Sequence, residues 1–177
     1  MERNSVIGCA LRRELGRIGI SGLDIAVGGQ AAIFTALADA GVMVDDIVQT
    51  DGDGGISLAF TVEHGELAEA RDVVRAAIER LAPGDDSIGV DVEIGLAKVS
   101  AVGSGMRSAI GVAGRMFTAL SQAEIPILNI TTSEIRISCL VPQDRGDAAL
   151  AAVHEAFGLD RDPQDGPFLG LTDHDEK

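Results

Sequence analysis

The side chains that could do chemistry are few. Three histidines, His64, His154 and His174, fall in a turn, on a helical stretch and near the end of the chain. None has a second ligand two or four positions away, so they read as structural or solvated and no metal site is expected. Cys9 and Cys139 lie inside apolar runs that read as strands; buried free thiols are the expectation. No Ser or Cys sits in a nucleophile-elbow pattern, and no catalytic residue is assigned. The carboxylate pairs Asp45–Asp46, Asp85–Asp86 and Asp51/Asp53 fall at strand ends or in turns and read as solvated surface charge. Residues 51–53 lack the remaining ligands of a calcium loop. The run VGSGM at 102–106 follows a strand and precedes a helix, but Ser108 stands where a dinucleotide loop needs its third glycine. No cofactor is expected.

Two glycine-bearing loops remain, at 24–30 and 103–111. Each places backbone N–H groups at a helix N-terminus, where a small anion such as a carboxylate can be held. Each also satisfies the simpler reading of a tight turn, and residue types alone leave both readings open.

The elements that must carry these loops follow from periodicity. VIGCAL (6–11) and RIGISGLDI (17–25) read as strands. A helix with Ile33, Phe34, Leu37 and Ala40 on one face follows and stops at Gly41. Residues 42–49 and 56–62 read as strands around a turn at 50–55, and a helix spans about 66–81. After a break at 82–86 come strands at 87–93 and 96–102, a helix at 110–123, strands at 125–132 and 134–141, and a helix at 147–157. The tail from 158 holds six acidic residues, two basic ones and two prolines.

The second half repeats the first. QAAIFTALADAG at 30–41 aligns with AGRMFTALSQAE at 113–124, 83 positions on, with FTAL identical; ISLAFTV at 56–62 matches IRISCLV at 135–141. A duplicated β-α-β-β-α-β unit is the reading. Such a unit makes an antiparallel sheet with two helices on one face, an α+β ferredoxin-like arrangement. Two of them can pack side by side and extend the sheet.

Composition narrows the partners. The 177 residues carry 14 basic and 28 acidic side chains, a formal charge of −14, and 3% aromatics with no Trp or Tyr. A nucleic-acid binder needs cations against phosphates and aromatic platforms for bases, so no nucleic-acid partner is expected. An anionic membrane surface would repel the chain, and no apolar run approaches the ~20 residues of a spanning helix. The N-terminus lacks a secretory pattern. A cytoplasmic protein without a membrane partner is the expectation.

The second half, KVSAVGSGMRS (98–108), GVA (111–113), TSEIRIS (132–138) and VHEAFGL (153–159), closely resembles the C-terminal regulatory region of aspartokinases. In the first half, IGCA (7–10), IFTALADAG (33–41) and IVQT (47–50) resemble the same region. The likeness covers residues 1 to about 160. It implies tandem ACT domains at 1–94 and 95–160, interleaved so that the strand near Val6–Leu11 is in reach of the second domain's sheet, with an acidic tail at 161–177. It implies chains paired as a homodimer, the first domain of one facing the second of the other, with amino-acid effectors of the lysine or threonine type at the interface. The lysine-bearing Gly-rich kinase part has no counterpart here. The resemblance therefore implies a non-catalytic β subunit that serves a catalytic aspartokinase α subunit in feedback control of aspartate-family amino-acid synthesis. A free-standing amino-acid sensor and a structural dimerisation subunit are the alternatives.

The effector residues implied by the resemblance are Asp24, Gly28, Gly29 and Gln49 in the first domain. In the second they are Gly105, Met106, Arg107, Ser108, Gly111, Ile127, Thr132, Ser133 and Glu134. Loop N–H groups would hold a carboxylate, while strand-edge carbonyls and Gln49 would take the ammonium or side-chain groups. The sequence departs from the family at Ile25, Val27, Thr50, Ala109, Ile110 and Pro126, and Pro126 removes a backbone donor.

Overall fold

A computed structural model of the chain describes residues 6–23, 28–52, 55–103 and 111–159. Six strands and four helices run in the order β1 (Gly8–Leu23), α1 (Gly29–Asp39), β2 (Asp45–Gly52), β3 (Gly55–Glu63), α2 (Leu67–Leu81), β4 (Gly89–Val102), α3 (Val112–Gln122), β5 (Asn129–Thr132), β6 (Arg136–Pro142) and α4 (Gly146–Ala156). All strand pairs are antiparallel, in one sheet of order β2-β3-β1-β4-β6-β5. Exchanging β1 with β4, β2 with β5 and β3 with β6 returns the same order. The duplication is therefore a near-symmetry of the sheet, and the α+β ferredoxin-like class holds.

One expectation needs correcting. The four separate strands read at 6–11, 17–25, 87–93 and 96–102 are two long ones. β1 is 16 residues and β4 is 14. Each bends at its middle through a positive φ, at Glu14 (57°) and Gly95 (72°), and the ladder between them shifts register on either side of the Leu15–Leu96 pair. The Arg12–Arg13–Glu14 and Glu93–Ile94–Gly95 stretches look like strand breaks because they lack apolar alternation. Pairing with the opposite long strand carries the chain through them. Residues 8–12 of β1 pair with 98–102 of β4, whereas residues 17–21 pair with 89–93. Each long strand thus serves both halves of the sheet.

Two apolar cores lie between the sheet and its helices. In the first, Ile18, Ile20, Leu58, Phe60 and Val62 meet Ile33, Leu37, Ala70, Val74 and Ala77. Phe60 is fully buried, with Phe34 edge-on at 5.5 Å between ring centroids; burying such a ring contributes about 1.5–3 kcal/mol. In the second, Ala97, Val99, Ala101, Ile137, Cys139 and Val141 meet Val112, Met116, Leu120, Ala149 and Val153. Ile33 and Leu37 correspond to Met116 and Leu120 at the 83-residue offset, and all four are buried. Leu15, Leu96 and Leu140 form a small third cluster.

Helix ends repeat as well. The Val42 N–H reaches the Leu37 carbonyl at 3.0 Å, and the Ile125 N–H reaches that of Leu120 at 2.9 Å. These bonds close the same C-terminal motif, which needs a left-handed residue just before the donor. Gly41 (φ 76°) supplies it in one half and Glu124 (φ 54°) in the other. The closing motifs are followed by irregular chain at 42–44 and 125–127, and Leu128 then donates its N–H to the Leu140 carbonyl of β6 at 2.8 Å. β2 and β5 begin at Asp45 and Asn129, later than periodicity suggests.

Candidate functional site

Side chains alternate across a strand. On β4, Ala97, Val99 and Ala101 face the second core, so Lys98 and Ser100 point to the sheet's other face. They are nevertheless buried, Lys98 at 4% exposure, together with Thr61 and Ser138. Ser100 and Ser138 sit directly opposite each other and share a hydrogen bond of 2.8 Å.

What covers Lys98 is the start of β2. The ladder places Asp45 opposite Thr61 and Val48 opposite Ala59, with a register shift between them. One extra residue therefore bulges there. Asp46 takes φ 48°, a conformation that Asp tolerates better than most residues. The bulge is tied locally: the Asp46 N–H donates to Asp45 Oδ1 at 2.9 Å, and Thr61 Oγ1 donates to the Asp45 carbonyl at 3.1 Å. Lys98 Nζ pairs with Asp45 Oδ2 and lies 3.0 Å from Asp46 Oδ2. Thr131 Oγ1 on β5 donates to Asp46 Oδ1 at 3.0 Å. Arg12 joins from β1, 3.3 Å from Asp45 and 2.8 Å from Glu63.

Burial works against the charge of Asp45, but the hydrogen bond and charge of Lys98, the Asp46 N–H and Arg12 outweigh it. They hold the carboxyl below the ordinary carboxylate range. The expectation that the Asp45–Asp46 pair is solvated surface charge is therefore overturned. The Asp46 side chain is 6% exposed, because Lys98 and Thr131, distant in sequence, close over it.

Beside this cluster lies an open groove of about 500 Å³. One wall is residues 46–49 of β2; the other is residues 130–133 with Arg136 of β6. β2 and β5 are the two outermost strands of the sheet, so the sheet curls until its edges face each other. The groove offers the Gln49 amide, the hydroxyl-bearing residues Thr131, Thr132 and Ser133, the Arg136 guanidinium and the apolar side chains of Ile47 and Ile130. Gln49 Oε1 also accepts from Gln30 Nε2 at 3.1 Å, which ties the groove to the N-terminal turn of α1. Polar groups that can take both ends of a zwitterion, beside apolar surface for a short side chain, suit binding of a small amphipathic molecule.

Of the residues assigned from sequence, Gln49, Thr132 and Ser133 meet in this groove. Gly28 and Gly111 stand 83 positions apart and occupy identical places. Each is the left-handed residue before a helix, at φ 113° and 92°, and each carbonyl accepts from an N–H four residues on, that of Ala32 at 3.0 Å and of Arg115 at 2.9 Å. Gly28, Gly29 and Gly111 mark helix N-termini outside the groove lining. Glu134 is exposed at the β5–β6 turn, and Ile127 packs on the second core. Asp24, Gly105, Met106, Arg107 and Ser108 lie outside the described residues. Sequence reasoning overlooked Asp46, Lys98, Thr131 and Arg136. The available signal was Lys98 itself, a lone charge in the small, apolar run 96–102.

A second cavity of about 580 Å³ is lined by Cys9, Asp147, Leu150, Ala151, His154 and Glu155. It brings a thiol near an imidazole, but burial pushes the Cys9 thiol up to about 11, so near neutrality it is protonated and a poor nucleophile. Burial pushes Cys139 up to about 12. Among the described residues no group of three or more His, Cys, Asp or Glu could hold a metal, and no helix is long and apolar enough to cross a membrane.

Residues 99–157 match the ACT domain family model. The aspartokinase of Helicobacter pylori is 38% identical over 162 residues, covering 91% of this chain but 38% of its own length; the chain thus spans well under half of the curated relatives it matches. The regulatory subunit of aspartate kinase from Thermus flavus is similar in structure, with TM-score 0.75 and 34% identity over 86% of this chain and 99% of that one. A structure of aspartokinase alpha and beta subunits matches with TM-score 0.76 and 33% identity, over 87% and 99% of the two chains.

Proposed function

The chain belongs to the family of aspartate kinase regulatory subunits, and from that premise we propose that it is a non-catalytic β-type subunit that binds an amino-acid effector in the groove between β2 and β5. The observation that carries this reading is that Gln49 meets Thr132 and Ser133, more than 80 positions away in sequence, in one groove that also holds Arg136. An α-amino acid is the matching ligand. Its carboxylate is met by Arg136 and the hydroxyl groups, its ammonium by Gln49 and strand-edge carbonyls, and its side chain by Ile47 and Ile130. Lysine and threonine are the effectors that the family resemblance favours.

The subunit would act with a catalytic aspartokinase chain, the assembly that the related alpha and beta subunit structure supports. The exposed apolar side chains along the outermost strands and their approaches, Met43, Ile47, Leu128, Ile130 and Ile135, support pairing of the subunit as a homodimer. Ligand would bias how the two halves sit on each other, and the catalytic partner would read that bias as inhibition.

A thermal-shift titration with lysine, threonine and other amino acids tests the reading. A ligand at 100 times its dissociation constant adds about 2.7 kcal/mol of stability. Gln49→Ala should lose most of that shift with the oligomeric state unchanged. A full shift in the variant would remove Gln49 from the site, and no shift of the parent protein with any amino acid would sink the effector reading.

A further inference from the structure

The two walls of the groove belong to opposite edges of the sheet and exchange no ladder hydrogen bond. Something else must fix their spacing. Asp46 is the first residue of the β2 wall, and its carboxylate is the point where three strands meet. Oδ1 accepts from Thr131 on the β5 wall, and Oδ2 faces Lys98 on β4. Its side chain is 6% exposed, so water does not substitute freely for these partners. The bulge keeps it there: the left-handed backbone at Asp46 is secured by the Asp45 carboxylate and the Thr61 hydroxyl. A residue in a sparsely populated conformation persists only where its surroundings impose it.

We propose that Asp46 is the positioning residue of the groove: its carboxylate clamps the β2 wall to β5 and β4 and so sets the width that a ligand meets. The ligand part of this proposal rests on the amino-acid reading above; the clamp itself does not. With Asp46 in place the groove is pre-organised, which favours binding because less ordering remains to be done. A ligand that bridges the walls strains or reinforces the same carboxylate, so occupancy is felt at Lys98 in the centre of the sheet.

Amide hydrogen exchange on the whole chain tests the clamp without any ligand. Asp46→Ala removes both contacts, and Thr131→Val removes only the hydroxyl at nearly constant volume, so it keeps the test available if Asp46→Ala fails to fold. In either variant the amides of 129–132 should exchange about tenfold faster or more, as expected for loss of a hydrogen bond to a charged group, while those of β1 keep the parent protection in Thr131→Val. Unchanged exchange at 129–132 in Thr131→Val overturns the clamp. Titration with L-lysine and with L-threonine then tests its use: the apparent dissociation constant for whichever binds the parent should rise about tenfold in Thr131→Val. Faster exchange with unchanged affinity overturns the positioning role and leaves the effector reading intact. If neither amino acid binds the parent, it is the effector reading that fails, and the exchange result still decides whether Asp46 holds the walls.

Discussion

Arg17 and Lys98 hold matching places in the two halves. Each lies two residues beyond the paired leucines Leu15 and Leu96 at which the long strands bend. Their environments differ sharply. Arg17 stands opposite Glu93 in the β1–β4 ladder and meets it at 2.5 Å, with both side chains solvated at 31% and 41%. Lys98 stands opposite Arg12, another cation. Like charges directly opposite are destabilising in a sheet, so this half requires anions from elsewhere. β2 supplies them: Asp45 pairs with both Arg12 and Lys98, and Asp46 with Lys98. The first half satisfies its own ladder, while the second depends on the first. A duplicated unit has thereby become an asymmetric pair in which one half anchors the other.

The largest expected effect comes from breaking that anchor. Lys98→Met leaves the Asp46 carboxylate buried without its cation and should cost about 3–5 kcal/mol in urea unfolding, as for other broken buried pairs. Arg17→Met loses a solvated pair and should cost about 1 kcal/mol or less; equal losses would dissolve the distinction between the halves.

The second expectation concerns acid. A carboxylate held below its ordinary value stabilises the fold fully above the unfolded-state pKa, about 3.9, and loses that contribution as pH falls below it. Asp45 is in that class. The stability gap between the parent and Asp45→Asn should therefore be widest near pH 7 and shrink below about pH 4, read from urea midpoints across that range. A gap independent of pH would mean that its charge is not what matters.

The smallest effect tests the helix-closing motif. Glu124 holds the left-handed place that Gly41 holds in the first half. Glu124→Gly should stabilise by about 1 kcal/mol, and Gly41→Ala should destabilise by a similar amount. A Cβ at Gly41 meets no atom within 4 Å, so backbone strain alone is at issue, and thermal denaturation of the two variants measures it.

Local pattern made the duplication, the four helices and the core residues readable. FTAL and its offset align Ile33 with Met116 and Leu37 with Leu120, and the structure buries all four. Pattern failed where tertiary pairing overrode it. The charged stretch at 12–14 reads as a break, yet it lies inside β1 because β4 pairs with both sides of it. Asp46 reads as a surface residue because its two partners are 52 and 85 positions away in the chain, beyond any local period. Gln49, Thr132 and Ser133 were found through likeness to a family, since nothing in their spacing announces a groove. That likeness did not extend to Asp46, whose role follows from burial and geometry.

The shared long strands carry a further consequence. Because β1 and β4 each cross from one half to the other, a cut anywhere between them would leave both fragments short of a strand, with an unpaired edge along an apolar core. The two copies of the ancestral unit are in this sense spliced rather than linked. Neither copy keeps a complete sheet of its own, so the two are expected to fold as one piece, and a displacement of either long strand is shared by both.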